Sequence, residues 1–323
     1  MPRSPLAIAV DVGGTSAKLA LVAPGGRILA SDTMPTGRRA TAGALVTVLA
    51  AGVRRFQAEA WRGGGRVVGL GIGVPGVVDA ERGIVRYAVN LPGWRRVPLQ
   101  RLLQQRTGVP TIVDNDVTAM TWGEYQWGAG RGARSLVCVM LGTGVGGGLI
   151  VDGRPYRGWT TSAGEIGHVP LGENGPACPC GGRGCLERYV GNRAIVALAR
   201  RKLAGGRRSI LRGDLRHLTP PLIDQAAYRG DAVACEVWRD IGRHVGLALT
   251  IVVNLVNPER IVIGGGIAKA GPLLFPTIRA TVRARAMRGP AAVPIVPARF
   301  GAEAGIIGAA ALVLAPPSVR RTL

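Results

Sequence analysis

"LAIAVDVGGTSAKLALV", Leu6–Val22, is two apolar runs joined by a glycine–threonine turn. The spacing predicts a β-hairpin whose tight glycine turn leaves backbone N–H groups exposed. "SLVCVMLGTGVGGGLIV", Ser135–Val151, repeats the plan with the turn "LGTGVGGG". Two copies point to duplicated halves rather than one dinucleotide-binding unit; the alternative is a chance likeness of two glycine-rich hairpins. Between the copies, Arg66–Asp79 reads as a buried strand ending in a turn. Thr111–Gly130 reads as a strand, an Asn/Asp cap and a helix stopped at Gly128. Farther on, Asn192–Ala204 and Ala226–Leu255 are helical stretches split by a basic loop at Gly205–Pro221, and Arg260–Gly271 is strand, triple glycine, then helix. Alternating strands and helices predict an α/β protein. The expected boundary lies near Asn115: a small N-terminal α/β domain over 1–115, which a C-terminal helix over 304–323 can rejoin, and a larger α/β domain over 116–303.

The 323 residues suffice for two domains. A 47% hydrophobic share with only 4% aromatic residues predicts an aliphatic core. The net charge of +22 is nearly all arginine, since Lys18, Lys202 and Lys269 are the only lysines. It reads first as a basic solvated surface; the alternative is a field attracting a nucleotide, polyphosphate or nucleic acid. The apolar start, Pro5–Val10, is short and ends at Asp11, unlike an export signal. Val245–Val253 and Ala304–Ala315 fall short of the ~18 residues a membrane span requires. A cytoplasmic protein without membrane contact is expected, in which cysteines are thiols or metal ligands rather than disulfides.

Three of the five cysteines and one of the three histidines fall between Ala163 and Tyr189. Cys178, Cys180 and Cys185 form C-x-C-x4-C, with His168 upstream. Three thiolates and one imidazole complete a tetrahedral Zn²⁺ shell, which leaves no place for a reactive water, so a structural metal shaping a loop is expected. Glycines at 181, 182 and 184 let the chain turn sharply. Unmetallated thiols beside an unrelated histidine are the alternative. Cys138, Cys235, His217 and His244 read as core residues.

Gly71-x-Gly73-x-x-Gly76 and Gly142-x-Gly144-x-x-Gly147 match the dinucleotide pattern, yet the second lies between strands and Leu91 stands where the first would need an acid. No P-loop motif is present. The glycines suit phosphate instead: Asp11-x-Gly13-Gly14-Thr15 offers N–H groups, a hydroxyl and a carboxylate for Mg²⁺ and its waters, and Gly142-Thr143-Gly144 offers the same donors without the acid. Facing each other, the two turns would grip a triphosphate; the backbone at Gly264–Gly266 admits a flat group such as adenine. Asp114, Asn115 and Asp116 stand where a strand meets a helix; one caps the helix, and a strand-end carboxylate can also act as general base on a hydroxyl.

Together these residues resemble the ROK family (repressors, uncharacterised frames and sugar kinases). The most specific match is "GEIGH" followed by "CPCGGRGCLE"; "DVGGT", "VPGVVD", "NLPGW", "DND", "LGTGVGGG", "GGGI" and "AGIIGAA" follow the family's order across nearly the whole chain. The resemblance implies a two-domain actin-like, ribonuclease H-like ATPase fold. It also implies phosphoryl transfer from ATP to the primary hydroxyl of a hexose, glucose being the expected acceptor. N-acetylmannosamine or another amino sugar as acceptor, and polyphosphate as donor, are the alternatives. Asp116 would be the catalytic base; Asn115, Glu165, His168 and Glu187, with Asn90 and Gly76, would bind the sugar. His168 would also ligate zinc, turning its other side to the sugar. Asp11, Gly13, Gly14, Thr15, Gly142, Thr143 and Gly144 would cradle ATP phosphates with Mg²⁺, and Gly265 and Gly266 would lie near the nucleoside. The family also contains repressors with an added N-terminal helix-turn-helix; only Met1–Pro5 precede the first strand, so specific nucleic-acid binding is not expected. A homodimer or tetramer is the family expectation. "VTAMTWGEYQWG" departs from the usual alanine- and asparagine-rich stretch, leaving sugar preference open; Trp122 and Trp127 read as helix packing.

Overall fold

A computed structural model describes residues 3–36, 41–88, 91 and 93–316. In chain order the elements are β1 (Pro5–Val12), β2 (Ser16–Ala23), β3 (Arg27–Pro35), α1 (Ala42–Arg62), β4 (Arg66–Val74), β5 (Val77–Asp79), β6 (Ile84–Tyr87), β7 (Arg95–Val97), α2 (Leu99–Thr107), β8 (Thr111–Asn115) and α3 (Asp116–Trp127). They continue with β9 (Leu136–Leu141), β10 (Val145–Val151), β11 (Arg154–Tyr156), α4 (Glu187–Val190), α5 (Asn192–Ala204), α6 (Pro220–Tyr228), α7 (Ala232–Val256), β12 (Arg260–Gly264), α8 (Phe275–Arg285), β13 (Ile295–Pro297) and α9 (Ala304–Leu314). Among the described residues, one sheet has the order β3-β2-β1-β4-β8 and another β11-β10-β9-β12-β13, with a small β5-β6-β7 sheet besides. The larger sheets share one plan, a meander followed by parallel strands, as the twin hairpins predict. The chain folds as an α/β protein with duplicated halves.

The chain divides into two compact units. The first comprises the described residues of Met1–Ser135, Gly148–Ala163 and Arg299–Leu323; the second comprises Leu136–Gly147 and Gly164–Ala298. The expected boundary at 115/116 falls at the β8–α3 junction, inside the first unit. Helix α3 stays there because it packs on α9 and β4.

Period-two alternation places the first unit's sheet between two layers. Leu6, Ile8, Val10, Leu19 and Leu21 join α1 residues Leu45, Leu49, Val53 and Phe56 in one core cluster. Ala7, Ala9, Ala20 and Val22 face the other way, against Ile306, Ala309 and Ala310 of α9. Small residues on that face let α9 lie close: a Cβ on Gly71 would fall 1.8 Å from the Ala309 carbonyl oxygen. Helices α3 and α9 meet the same way, since a Cβ on Gly308 would stand 2.4 Å from the Ala119 carbonyl. Trp122 is buried and donates its indole N–H to Ala315 (2.7 Å), and Trp127 packs against the α9 cluster, so both tryptophans serve packing.

Glu124, fully buried on α3, accepts N–H bonds from Arg299 (2.9 Å), Phe300 (3.0 Å) and Ala129 (2.8 Å). Three donors compensate its desolvation and tie the returning chain to the unit.

In the second unit the predicted helix over Ala226–Leu255 is two helices, α6 and α7. Gly230 takes φ +82°, and Asp231 caps α7 by accepting the Ala234 N–H (2.9 Å); local capping overrides the continuous apolar pattern. The helix expected directly after the triple glycine starts as a 3₁₀ turn over Ile267–Leu273 before α8. Cys138 is fully buried in β9, whereas His217 is exposed rather than in the core. Among the described residues, no helix is long and apolar enough to cross a membrane.

Candidate functional site

Parallel strands place their carboxyl ends on one edge, where α/β sheets bind ligands. In the first unit, register sets Asp11 of β1 beside Gly73 of β4, and Gly73 beside Asp114 of β8; Val74 pairs with Asn115, and Asp116 begins α3. Asn115 caps that helix through its side-chain oxygen, which accepts the Thr118 N–H (2.9 Å). Its Nδ2 donates to the Gly76 carbonyl (3.0 Å) and to Asp116 Oδ1 (3.0 Å). Asp116 Oδ1 also accepts the Val117 N–H (2.9 Å). The predicted cap and the predicted base are therefore adjacent residues joined by a hydrogen bond.

Asp116 is partly accessible, yet protein surrounds its carboxyl. Desolvation, aided by repulsion from Asp11, raises its pKa to about 6 against the Val117 and Asn115 hydrogen bonds. Burial also raises the pKa of Asp11, opposed by the Lys18 charge. The Asp11 carboxylate lies against the start of α9: a Cβ on Gly305 would meet its Oδ2 at 2.2 Å. Between β1 and β2, Gly13, Gly14 and Thr15 form the expected turn, closed by Gly13 N–H to Ser16 O (2.9 Å) and by Thr36 N–H to Thr15 O (3.1 Å). Asn90 lies outside the described residues.

In the second unit, Gly142, Thr143 and Gly144 make the equivalent turn between β9 and β10. The Gly142 N–H donates to Gly144 O (2.9 Å), and Asn192 N–H donates to Gly142 O (3.1 Å). Glu187, at the start of α4, joins this turn: its Oε2 accepts the Val145 N–H at 2.9 Å and would lie 2.5 Å from a Cβ on Gly144. Gly265 and Gly266 follow β12, which is in register with β9. Gly265, at φ +87°, packs its α-carbon against the Leu141 carbonyl, leaving 2.2 Å for any Cβ.

The ligand atoms of His168, Cys178, Cys180 and Cys185 all lie within 4.8 Å of one another. His168 Nδ1 is 3.7 Å from Cys178 Sγ, and the Cys180 and Cys185 sulfurs are 3.7 Å apart. Tetrahedral Zn²⁺ with ~2.3 Å bonds to sulfur requires edges of roughly 3.8 Å, so the donor set fits that ion. The backbone closes the loop around it: Cys178 N–H donates to Gly182 O (2.8 Å), and Leu186 N–H to Val169 O (3.0 Å). The other ring nitrogen, Nε2, lies 3.8 Å from Glu165 Oε2. The imidazole thus turns Nδ1 toward the sulfurs and Nε2 toward an exposed carboxylate.

The ROK family model matches residues 7–315. The chain belongs to the ROK family. It is 35% identical to the glucokinase of Streptomyces coelicolor, over 97% of this chain and 99% of that protein. A crystal structure of a ROK-family glucokinase from Streptomyces griseus, in complex with glucose and AMPPNP, aligns with TM-score 0.81 at 34% identity, over 95% of this chain and 99% of that one. A ROK-family transcriptional regulator, described as a homologue of the Escherichia coli MLC protein, aligns with TM-score 0.90 at 28% identity, over 98% of this chain and 79% of that chain. This ROK chain has the actin-like ATPase fold of these kinases.

The sequence did not single out three residues of the first unit: Arg157 and Gly305 beside the strand-end acids, and Glu124 farther along α3. Arg157, itself half-buried, forms an ion pair with the buried Asp114. Its partner lies 43 positions away, and no local pattern announces such a pair. Gly305 belongs to "AGIIGAA", which carried only the family resemblance.

Proposed function

We propose that this ROK protein is an ATP-dependent glucokinase, transferring the γ-phosphoryl group to the primary hydroxyl of glucose. Asp116 carries the assignment: a carboxylate at a strand end, held by Asn115, with a pKa near 6, is ionised at neutral pH yet basic enough to take a hydroxyl proton. The full-length likeness to glucokinases supports the choice of substrate. On this reading, Asp116 accepts the proton as the hydroxyl oxygen attacks phosphorus in line and ADP departs. Asn115, Glu165, His168 and Glu187, with Asn90 and Gly76, hold the sugar. Gly13 and Gly142 close the two turns with their own N–H groups and so shape the phosphate cradle. In it the N–H groups of Gly14, Thr15, Thr143 and Gly144 offset charge on the phosphates, and Gly265 and Gly266 admit the nucleoside.

Two metal ions belong to the proposal. Asp11 fits Mg²⁺, because a buried carboxylate facing another acid gains from a nearby divalent cation; bound there, the ion would neutralise phosphate charge. His168, Cys178, Cys180 and Cys185 fit a structural Zn²⁺ that holds His168 and, through it, Glu165. A cytoplasmic homodimer or tetramer is the proposed working form.

A coupled assay across glucose, mannose and N-acetylmannosamine, with ATP and polyphosphate as donors, tests the reading. Glucose with ATP should give the highest kcat/KM; an amino sugar or polyphosphate ahead of that pair would reassign acceptor or donor. The regulator-like fold and the +22 charge define the rival: no turnover with any sugar, together with binding to a specific DNA that excess nonspecific DNA does not displace, would replace the kinase by a regulator.

Gly305→Ala tests the role of Asp11. The new methyl would push the carboxylate aside, and a misplacement of ~1 Å can cost about 10²-fold. A fall in kcat of that order, with a raised Mg²⁺ half-saturation, is expected; unchanged Mg²⁺ dependence would remove Asp11 from the metal site.

A further inference from the structure

Asp114 precedes the two residues assigned to sugar and proton, yet its side chain points into the protein; the residue is 1% exposed. Its carboxylate is gripped by Arg157 from the segment after β11: Nε donates to Oδ1 (3.3 Å) and Nη2 donates to Oδ2. The side chains are 2% and 26% exposed, so this is a two-pronged pair with a buried carboxylate and a half-buried guanidinium. Asp114 Oδ1 also accepts the N–H of Asn115 (2.9 Å). Arg157 is held in turn at the neck of a short loop, where its carbonyl accepts the Ala163 N–H (2.9 Å).

These contacts form one chain. Arg157 orients the Asp114 carboxylate, and that carboxylate fixes the peptide N–H of Asn115. The Asn115 side chain, set between the Gly76 carbonyl and the Thr118 N–H, delivers a hydrogen bond to Asp116 Oδ1. An ion pair withdrawn partly from water is a poor source of net stability, because desolvation and solvent screening offset much of its attraction. What a fork against a carboxylate supplies and a neutral pair does not is a fixed orientation.

We propose that the Asp114–Arg157 pair is a positioning device for the phosphoryl-transfer base, holding Asn115 so that its amide orients the Asp116 carboxylate toward the sugar hydroxyl. The inference rests on Asp116 being the base. Neither Asp114 nor Arg157 touches substrate on this reading; both act through Asn115.

Two variants of the full-length protein test it, with glucose and ATP as substrates. Arg157→Lys keeps the charge and loses the fork. Asp114→Asn with Arg157→Gln removes both charges together, so no buried charge is left unpaired. In both, kcat should fall at least about tenfold while KM for ATP stays near the wild-type value. The acid limb of kcat/KM should also move to higher pH, because a misdirected Asn115 amide no longer favours the ionised base. A neutral pair with wild-type kcat and an unmoved acid limb would overturn the proposal and leave the ion pair a packing element. Should Arg157→Lys fail to fold, the neutral pair decides alone. Failure of the base assignment has a separate signature: Asp116→Asn would itself retain turnover.

Discussion

Asp116→Asn is expected to be inactive and more stable than the native protein. A general base contributes about 10²–10⁴ in rate, and kcat should fall by that order. The amide oxygen can still accept the Val117 and Asn115 donors, so the fold should persist. Stability follows from linkage. In the native chain Asp116 has a pKa of about 6, raised above the ~3.9 of an unfolded chain. Between those values the folded state binds more protons, so its stability falls as pH rises through the window. Above pH 6 the ionised carboxylate costs up to about 3 kcal/mol, which the amide removes. The variant should therefore gain stability at pH 7 to 8, and the gain should vanish below about pH 4. Urea unfolding at pH 4 and pH 8 measures it. In the native enzyme, kcat/KM should fall tenfold per pH unit below about 6, as the base becomes protonated. Full turnover by Asp116→Asn would refute the assigned role.

Cys180→Ser is expected to lose the zinc ion and, with it, sugar affinity. Cys180 is exposed, so exchanging sulfur for oxygen at that surface would by itself be nearly neutral. A large effect must come from the metal. Losing an outer-shell partner already costs about 10–100-fold in metal affinity, and losing a ligand should cost more. On the zinc proposal, the ion fixes His168 Nδ1 toward the sulfurs, and without it Nε2 should drift from Glu165. Losing one charge-assisted hydrogen bond costs about 1.5–3 kcal/mol, so KM for glucose should rise about 10–100-fold. KM for ATP should change little. Metal analysis of the purified variant should find zinc well below one ion per chain; full zinc content would remove Cys180 from the ligand set.

The candidate site was readable wherever chemistry is carried by neighbours in sequence. "DND" announced a cap and an acid at a strand-to-helix switch, and Asn115 and Asp116 occupy those places. C-x-C-x4-C with His168 announced a ligand set, and its four donors converge. The break at Gly230–Asp231 was hidden because apolar periodicity runs through it, while the capping bond that splits the helix depends on one side-chain oxygen.

By itself, the sequence determined the twin hairpins, the α/β alternation, the family, the cysteine–histidine cluster and the acids at the strand ends. Each depends on local spacing, and turn and strand periods are short-range properties of the backbone. Only the tertiary structure decided that Arg157 grips Asp114, that Gly305 makes room for Asp11, and that Glu124 ties the returning chain to α3. Such contacts join residues far apart in the chain. The Gly305–Asp11 contact depends further on how closely α9 settles onto a sheet face of small residues, a packing distance that no local pattern encodes.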